Sequence, residues 1–249
     1  MKKSKKQRGE GETTKKLSTF KLKSFITFLS QVAQFPDPKI DLEQYMTPPD
    51  IAANLFSILH QDEDSIENKR IADFCSGTGM YSCASTYFNP LSITGFEIDP
   101  EAIEVAQENV LSMEIADRVD FINCDILKIV ENNPKLHGLF DTVVMNPPFG
   151  TKNNEGIDMK LLSAAITCCK GKVFSLHKES TSAYIQKYVK EQHPGLEAEL
   201  MHKIEFDLPN TYKFHKKKSA TTEVVLVKID VSKREVRKVT EMLGAQKLE

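Results

Sequence analysis

The sequence predicts an α/β fold built on a doubly wound, mostly parallel, seven-stranded sheet that ends in an antiparallel strand pair. First, short apolar runs rich in β-branched residues alternate with amphipathic helical patterns between residues 70 and 191. Such alternation is typical of parallel strands joined by right-handed crossovers. Second, two long alternating segments, 197–208 and 222–230, follow each other with no helical pattern between them. Two successive strands without a crossover helix are typical of an antiparallel pair.

The individual elements follow from local patterns. Strands of the parallel part are predicted at residues 70–75, 92–98, 119–124, 140–145 and 172–176. Helices are predicted from residue 80 onward and over residues 100–113, 158–169 and 180–191, preceded by helices from Leu17 and from Pro49, and followed by one over 232–243. Pro49 and Pro100 suit first helical positions, because the N–H that proline lacks would be unpaired there.

Length and charge define the domain organisation. At 249 residues and 40% apolar content, one domain with a sizeable core is expected. We divide the chain into a disordered basic tail (1–16), a principal domain with an N-terminal helical lead-in (17–230) and a C-terminal helical extension (231–249). Residues 1–23 carry nine Lys/Arg against two Glu (+7), which leaves 24 against 33 acidic residues (−9) elsewhere. A basic arm on an acidic body predicts a solvated tail, a nuclear address or an RNA-binding arm.

Other patterns exclude several kinds of protein. No apolar run approaches the roughly 18 residues of a membrane span, and no secretory signal follows the basic N-terminus. The five cysteines show no C-x-x-C spacing, so we predict neither a metal site nor a disulfide framework. Free cysteines fit a reducing compartment, and we expect the protein in the nucleus, including the nucleolus, and in the cytoplasm.

The most informative motif follows the fourth predicted strand and is named here the tetrad: Asn146, Pro147, Pro148 and Phe149. Each proline fixes φ and removes a backbone donor, and Pro147 keeps Asn146 out of the α conformation. Oxygens of Asn146 and Pro147 can then accept hydrogen bonds from a flat –NH2 group, while Phe149 stacks on the ring that carries it. The tetrad therefore predicts methyl transfer to a planar amine, although a lone phenylalanine at a strand end is also a common core residue.

Acidic residues end three consecutive predicted strands. Asp73 ends the first strand, and Gly77 and Gly79 follow in the turn before a helix. Glu97 ends the second strand, where a carboxylate can accept from ribose hydroxyls, and Asp125 follows the third, where it can accept from an adenine amine. Each feature alone also has an ordinary explanation: the glycines can belong to a simple strand-to-helix turn, Glu97 can be a solvated carboxylate, and Asp125 can be a helix N-cap. Together they predict a nucleoside cofactor without phosphates, such as S-adenosylmethionine.

With these motifs the chain resembles the class I S-adenosylmethionine-dependent methyltransferases of the amino-methylating type. More closely, it resembles the methyltransferase-like enzymes that form N6-methyladenosine in small-subunit (18S) ribosomal RNA. The resemblance spans about residues 39–230, and its most specific segments are 42–45, 66–69, 141–154, 175–178 and 212–219. It implies a Rossmann-like methyltransferase fold, S-adenosylmethionine as cofactor and ribosomal RNA as substrate.

The resemblance also implies further cofactor contacts. They are Gln44 and Thr47 in the lead-in, and Cys75, Thr78 and Met80 in the turn after the first strand. Cys75 stands where the family's turn has its first glycine. If the backbone there requires a positive φ, cysteine costs about 1 kcal/mol or more.

A basic loop between the last two predicted strands is a candidate RNA contact. Its residues are Lys213, Phe214, Lys216, Lys217 and Lys218. Lysines of such a loop can bind phosphates and the aromatic ring can stack on a base. The alternative is a solvated loop.

Three functions agree with these observations. The first is methylation of adenosine N6 in ribosomal RNA, the second is methylation of a protein glutamine amide, and the third is a non-catalytic, RNA-binding role in ribosome assembly. The family further implies a small zinc-ribbon activator protein as partner. We expect it to pair with the third strand, residues 119–124, which is an edge in the family's strand order.

Overall fold

The computed structural model describes residues 20–62, 65–150, 154–208 and 220–234. The strands of this part of the chain are β1 (Arg70–Phe74), β2 (Ser92–Glu97), β3 (Val119–Asn123), β4 (Phe140–Met145), β5 (Cys169–Lys178), β6 (Ala198–Leu208) and β7 (Ala220–Asp230). The α-helices are α1 (Leu22–Leu29), α2 (Pro49–Gln61), α3 (Met80–Thr86), α4 (Pro100–Ser112), α5 (Ile126–Asn132), α6 (Ile157–Cys168) and α7 (Ser182–Gln192).

All seven strands form one sheet in the order β3-β2-β1-β4-β5-β7-β6. The first five strands pair in parallel, whereas β7 lies antiparallel between β5 and β6. The predicted α/β fold with an antiparallel terminal pair is therefore confirmed. β3 lies at one edge of the sheet, as expected from the family's strand order.

The sheet is covered by helices on both faces. Val144 of β4 is 2% exposed and belongs to a core cluster with Phe25 of α1 and Phe56 of α2. Its neighbour Val143 is fully buried on the opposite face, in a cluster with Leu162 of α6. Burial on both faces explains why β4 is a continuous apolar run in the sequence rather than an alternating one.

Some boundaries differ from the sequence predictions. The described part of α1 has eight residues from Leu22, whereas the predicted start at Leu17 lies outside the described residues. β5 begins at Cys169, where a helix was expected to end, because Cys169 already pairs with Phe140 beside a register shift between β4 and β5. No helix of the described segments is long and apolar enough to cross a bilayer.

Two predicted features cannot be compared with the structure. The candidate RNA contacts Lys213, Phe214, Lys216, Lys217 and Lys218 lie outside the described residues. The same holds for the basic tail and for residues 235–249 of the C-terminal extension. Residues 232–234 of this extension are described and helical. These assignments stay predictions.

Candidate active site

A cavity of about 220 Å³ opens at the carboxyl ends of the central strands. Predicted site residues that line it are Gln44, Thr47, Asp73, Cys75, Gly77, Thr78, Met80, Glu97, Asp125, Asn146 and Pro148. Gly79, Pro147 and Phe149 adjoin these residues in the chain without belonging to the lining. The predicted cofactor site and the predicted amine platform are thus parts of one cavity.

The turn after β1 has a left-handed backbone at three of its residues. Cys75, Gly77 and Gly79 have φ angles of 58°, 53° and 83°. A Cβ on Gly77 would lie 2.9 Å from Cζ of Phe35, and one on Gly79 would lie 3.1 Å from Cζ of Phe121. Both glycines are therefore favoured by their positive φ, and a larger residue at either position would have to displace an aromatic ring. Cys75 occupies the left-handed region with a side chain, which costs about 1 kcal/mol or more.

Asp73 links the end of β1 to the helix that follows the turn. Its side chain is 1% exposed, and its Oδ2 accepts a hydrogen bond of 2.7 Å from the hydroxyl of Ser82 on α3. Burial raises the pKa of Asp73 to about 7, although the bonds from Ser82 oppose this rise. The carboxyl group fixes the first turn of α3 against the end of β1.

Glu97, the last residue of β2, links this strand to the turn after β1. Its Oε2 accepts from the Gly77 N–H at 2.9 Å, and its Oε1 accepts from the N–H groups of Ile98 and Asp99 at 2.9 and 3.0 Å. Burial raises the pKa of Glu97, and these three donors oppose the rise. Because a carboxylate has about four acceptor sites, Oε2 can still accept from a ribose hydroxyl.

Asp125 has two roles at the end of β3. It caps α5 by accepting from the Lys128 N–H at 3.4 Å, and its Oδ2 pairs with Lys128 Nζ at 3.2 Å. The same residue lines the cavity. The N-cap that the sequence offered as an alternative is therefore present in a residue that also lines the cavity, and the contact of Asp125 with an adenine amine stays a prediction.

Buried hydroxyl groups in the cavity wall indicate which kind of ligand the cavity can bind. The side-chain oxygens of Ser76 and Thr78 are buried without a hydrogen-bond partner among the described residues, and both residues line the cavity. Buried polar atoms without partners are uncommon, so a ligand that bonds them fits this cavity. The residues present fit S-adenosylmethionine, which the turn after β1, Glu97 and Asp125 would hold. No cluster of His, Cys, Asp or Glu in the described segments could hold a metal ion.

The Asn146 amide is held at both ends by the lead-in. Its Oδ1 accepts from the Tyr45 hydroxyl at 3.0 Å, and its Nδ2 donates to Thr47 Oγ1 at 3.0 Å. The N–H of Phe149 donates to Oε2 of Glu43 at 2.9 Å. Sequence reasoning missed Tyr45 and Glu43 as site residues, although both fall in segment 42–45, one of the most specific parts of the resemblance.

The Phe149 ring is buried and not exposed for stacking on a target base. It is 8% exposed, its ring centroid lies 5.8 Å from that of Tyr45 at an interplanar angle of 40°, and Lys178 Nζ lies 5.9 Å from its centroid. Here Phe149 supports Tyr45 and is largely a core residue. A stacking contact with a target base stays a prediction.

Gln44 and Asp99 link the lead-in to the loop after β2. The Gln44 Nε2 donates to Asp99 Oδ2 at 2.6 Å, and Lys39 Nζ donates to Asp99 Oδ1 at 2.7 Å. Burial alone would raise the pKa of Asp99, but the bonds from Lys39 and Gln44 more than offset it and the net pKa is lowered. Gln44 therefore lines the cavity with its amide already engaged, and it positions the loop that follows Glu97.

The fold and the cavity together define the class of protein. A sheet of this strand order, a glycine-containing turn facing strand-end acids, and an Asn-Pro-Pro-Phe platform in the same cavity form a class I methyltransferase site, with S-adenosylmethionine as the methyl donor. The family model described as "Methyltransferase small domain" matches residues 47–172. The chain belongs to this methyltransferase family.

Similar proteins extend over most of the chain. The rRNA N(6)-adenosine-methyltransferase METTL5 of Danio rerio is 40% identical over 208 residues, which cover 84% of this chain and 98% of the relative. The Drosophila melanogaster protein of the same description is also 40% identical, over 84% of this chain and 95% of its own length. The crystal structure of PH1948 from Pyrococcus horikoshii superposes with a TM-score of 0.73 at 26% identity, and covers 86% of this chain and 98% of that one.

Proposed function

We propose that this protein transfers the methyl group of S-adenosylmethionine to N6 of an adenosine in ribosomal RNA, specifically in 18S RNA of the small subunit. The observation that carries the proposal is the Asn146 amide, which lies in the same cavity as Glu97 and Asp125. Relatives that are 40% identical over 84% of the chain are described as rRNA N6-adenosine methyltransferases. The small subunit rests on the sequence resemblance.

The protein's part in this reaction is to position an amine. Bound S-adenosylmethionine supplies a methyl group on a positively charged sulfur. The N6 lone pair of adenine is delocalised into the ring, and hydrogen bonds from its two N–H groups to Asn146 Oδ1 and the Pro147 carbonyl draw that nitrogen toward sp3 geometry. The localised lone pair would take the methyl group in line as the carbon–sulfur bond breaks, and the methylated nitrogen would release one proton to water, so that positioning supplies most of the rate.

A general base is not required in this scheme. His177, the penultimate residue of β5, is fully buried and lies outside the cavity lining. Its Nε2 lies 2.8 Å from Ser175 Oγ, and its Nδ1 lies 3.4 Å from Asp158 Oδ2. We assign His177 to the support of β5 and α6 and not to proton transfer.

The target base has to be unpaired or to leave its stack to reach Asn146. We propose that the loop with Lys213, Phe214 and Lys216–Lys218 binds the RNA backbone there. Its sequence, four lysines around an aromatic ring, supports this assignment. Replacement of the four lysines by glutamine should weaken RNA binding at all sequences and reduce its salt dependence.

We also propose a small zinc-ribbon activator protein as partner at β3, and residence in the nucleus, nucleolus and cytoplasm. β3 is an edge strand and its Ile122 is 42% exposed, which supports addition of a partner strand. Ile122→Lys should abolish co-purification with such an activator while leaving S-adenosylmethionine binding intact. Equal yield and dispersity of the chain with and without the activator would contradict the partnership.

The proposed function is tested with methyl-labelled S-adenosylmethionine, ribosomal RNA and the chain, alone and with the activator. The 18S and 28S RNAs are separated and digested to nucleosides. We expect label in N6-methyladenosine of 18S RNA, and its loss in Asn146→Ala but not in the control Asn132→Ala, an exposed site on α5. Label confined to 28S RNA would overturn the small-subunit assignment, and no labelled adenosine would overturn the RNA substrate.

A protein glutamine amide is the second candidate substrate, because Asn-Pro-Pro platforms accept any flat amine. It is supported by 28% identity over 140 residues to the ribosomal protein uL3 glutamine methyltransferase of Francisella tularensis, which covers 53% of this chain and 42% of that relative. Label in protein in place of RNA would favour this candidate. An Asn146→Ala chain that binds RNA normally and keeps its full cellular effect would favour the non-catalytic role.

A further inference from the structure

Residues 43–47 of the lead-in, here named the strap, form part of the cavity wall. Resting on the proposed transfer to an amine, we propose that Tyr45 in the strap is a positioning residue. Its hydroxyl fixes the Asn146 amide so that the side-chain oxygen, and not the nitrogen, is presented to the acceptor amine. Tyr45 acts through Asn146, whereas other residues of the cavity hold the methyl donor.

The strap contacts the tetrad at three places. The Tyr45 hydroxyl donates to Asn146 Oδ1 at 3.0 Å, and Thr47 Oγ1 accepts from Asn146 Nδ2 at 3.0 Å. Glu43, at a left-handed φ of 53°, accepts from the Phe149 N–H at 2.9 Å. One short segment therefore bonds to the first and the last residue of the tetrad.

The orientation of the amide decides what it can bind. An asparagine side chain has a donor end and an acceptor end of nearly the same shape. Because an amine target donates its hydrogens, only the orientation with Oδ1 toward it is productive. A half-turn about the last side-chain torsion would present Nδ2, with two donors facing each other. Because the two ends of the amide have nearly the same shape, this rotation causes no steric clash. Only hydrogen bonds from neighbouring groups can prevent it.

Tyr45 is the group that favours the productive orientation most strongly. The hydroxyl groups of Tyr45 and Thr47 can both donate or accept, but the more acidic phenol of Tyr45 is the better donor and therefore favours an oxygen opposite it. Burial raises the pKa of Tyr45 well above its ordinary value, so the hydroxyl keeps its proton over the neutral range. Oδ1 has two lone pairs, and the bond from Tyr45 leaves one for the amine.

Gln44 anchors the strap to the loop after β2. Gln44 Oε1 accepts from the Lys39 N–H at 2.8 Å, while Gln44 Nε2 donates to Asp99, whose own N–H donates to Glu97. The position of Tyr45 is thus fixed from the loop after β2. Loss of the Tyr45 hydroxyl should therefore release the Asn146 amide while these bonds of Gln44 keep the strap in place.

The first test compares Tyr45→Phe with the wild type in methyl-transfer kinetics on ribosomal RNA. The variant keeps the ring against Phe149 but lacks the donor. We expect kcat to fall about tenfold or more, with the KM for RNA and the Kd of S-adenosylhomocysteine changed less than about twofold. Tyr184→Phe, on the exposed side of α7, is the control and should match the wild type. A kcat within about twofold of wild type, or an equal loss of cofactor affinity, overturns the proposal.

The second test does not depend on the substrate. In the full chain labelled with ¹⁵N-asparagine, the side-chain amide resonances of Asn146 are those that disappear in Asn146→Ala. We expect one sharp pair in the wild type and a broadened or split pair in Tyr45→Phe; an unchanged pair overturns the positioning role. Absence of N6-methyladenosine in the wild-type reaction overturns the proposed function instead, and this spectrum still decides the role of Tyr45.

Discussion

Among single residues, Cys75 carries the clearest backbone strain of the site, with a φ of 58° in the turn that faces the cofactor cavity. Alanine keeps the Cβ that causes the strain and glycine removes it. We expect Cys75→Gly to have a free energy of unfolding about 1 kcal/mol above that of Cys75→Ala, measured by urea denaturation. At exposed Gln107 in α4, alanine should exceed glycine by about 1 kcal/mol. If the glycine and alanine variants ranked in the same order of stability at positions 75 and 107, the result would contradict backbone strain at Cys75.

A second residue-scale prediction concerns pH. Because the folded pKa of Asp73 is about 7 against an ordinary 3.8, the folded chain binds this proton more tightly than the unfolded chain. The stabilisation is full below the unfolded pKa and is lost as the pH rises toward 7. Asp73→Asn, whose side-chain oxygen can still accept from Ser82, should flatten the free energy of unfolding between about pH 4 and pH 7. An unchanged slope would show that Asp73 does not cause it.

Among the secondary-structure elements, two strand glycines differ in what surrounds them. A Cβ on Gly171 of β5 would overlap the backbone oxygen of Asp141, whereas one on Gly95 of β2 would lie 2.5 Å from a ring carbon of Phe121. Gly95→Ala and Gly171→Ala should each destabilise the fold by about 1–3 kcal/mol. In double-mutant cycles, Phe121→Ala should relieve Gly95→Ala and leave Gly171→Ala unrelieved, because no side-chain change removes a carbonyl. Equal relief of both would contradict this distinction.

The elements also show which parts of the molecule are predictable from sequence. β4 and the tetrad follow one another in the chain, so a buried run and the prolines after it predict both directly. The strand-end acids Glu97 and Asp125 were predictable because parallel strands bring their carboxyl ends together. The bond from Tyr45 to Asn146 spans 101 residues and depends on how the lead-in packs over the sheet. No local periodicity encodes such a contact, and therefore the strap was not predicted as part of the platform.

For the whole molecule, charge is divided between segments. Residues 1–23 carry +7 and the remainder −9, so the acidic body repels phosphates and attraction to RNA has to come from particular basic segments. The basic tail and the loop around Phe214 are the two candidates. Their contributions are separable, because the tail precedes the sheet and the loop joins β6 to β7.

Removal of residues 1–16, which contain seven Lys/Arg and two Glu, tests the tail as an RNA-binding arm. RNA affinity should fall, and the slope of log K against log salt should decrease by about 0.7 for each basic residue that contacts a phosphate. A full-length variant with Lys2, Lys3, Lys5 and Lys6 changed to glutamine separates charge from chain length and should lose part of the same slope. Cofactor affinity and the melting temperature should not change, because an arm that contacts only RNA leaves the folded domain unaltered. An unchanged slope in both variants would identify the tail as solvated chain and leave RNA attraction to the loop between β6 and β7.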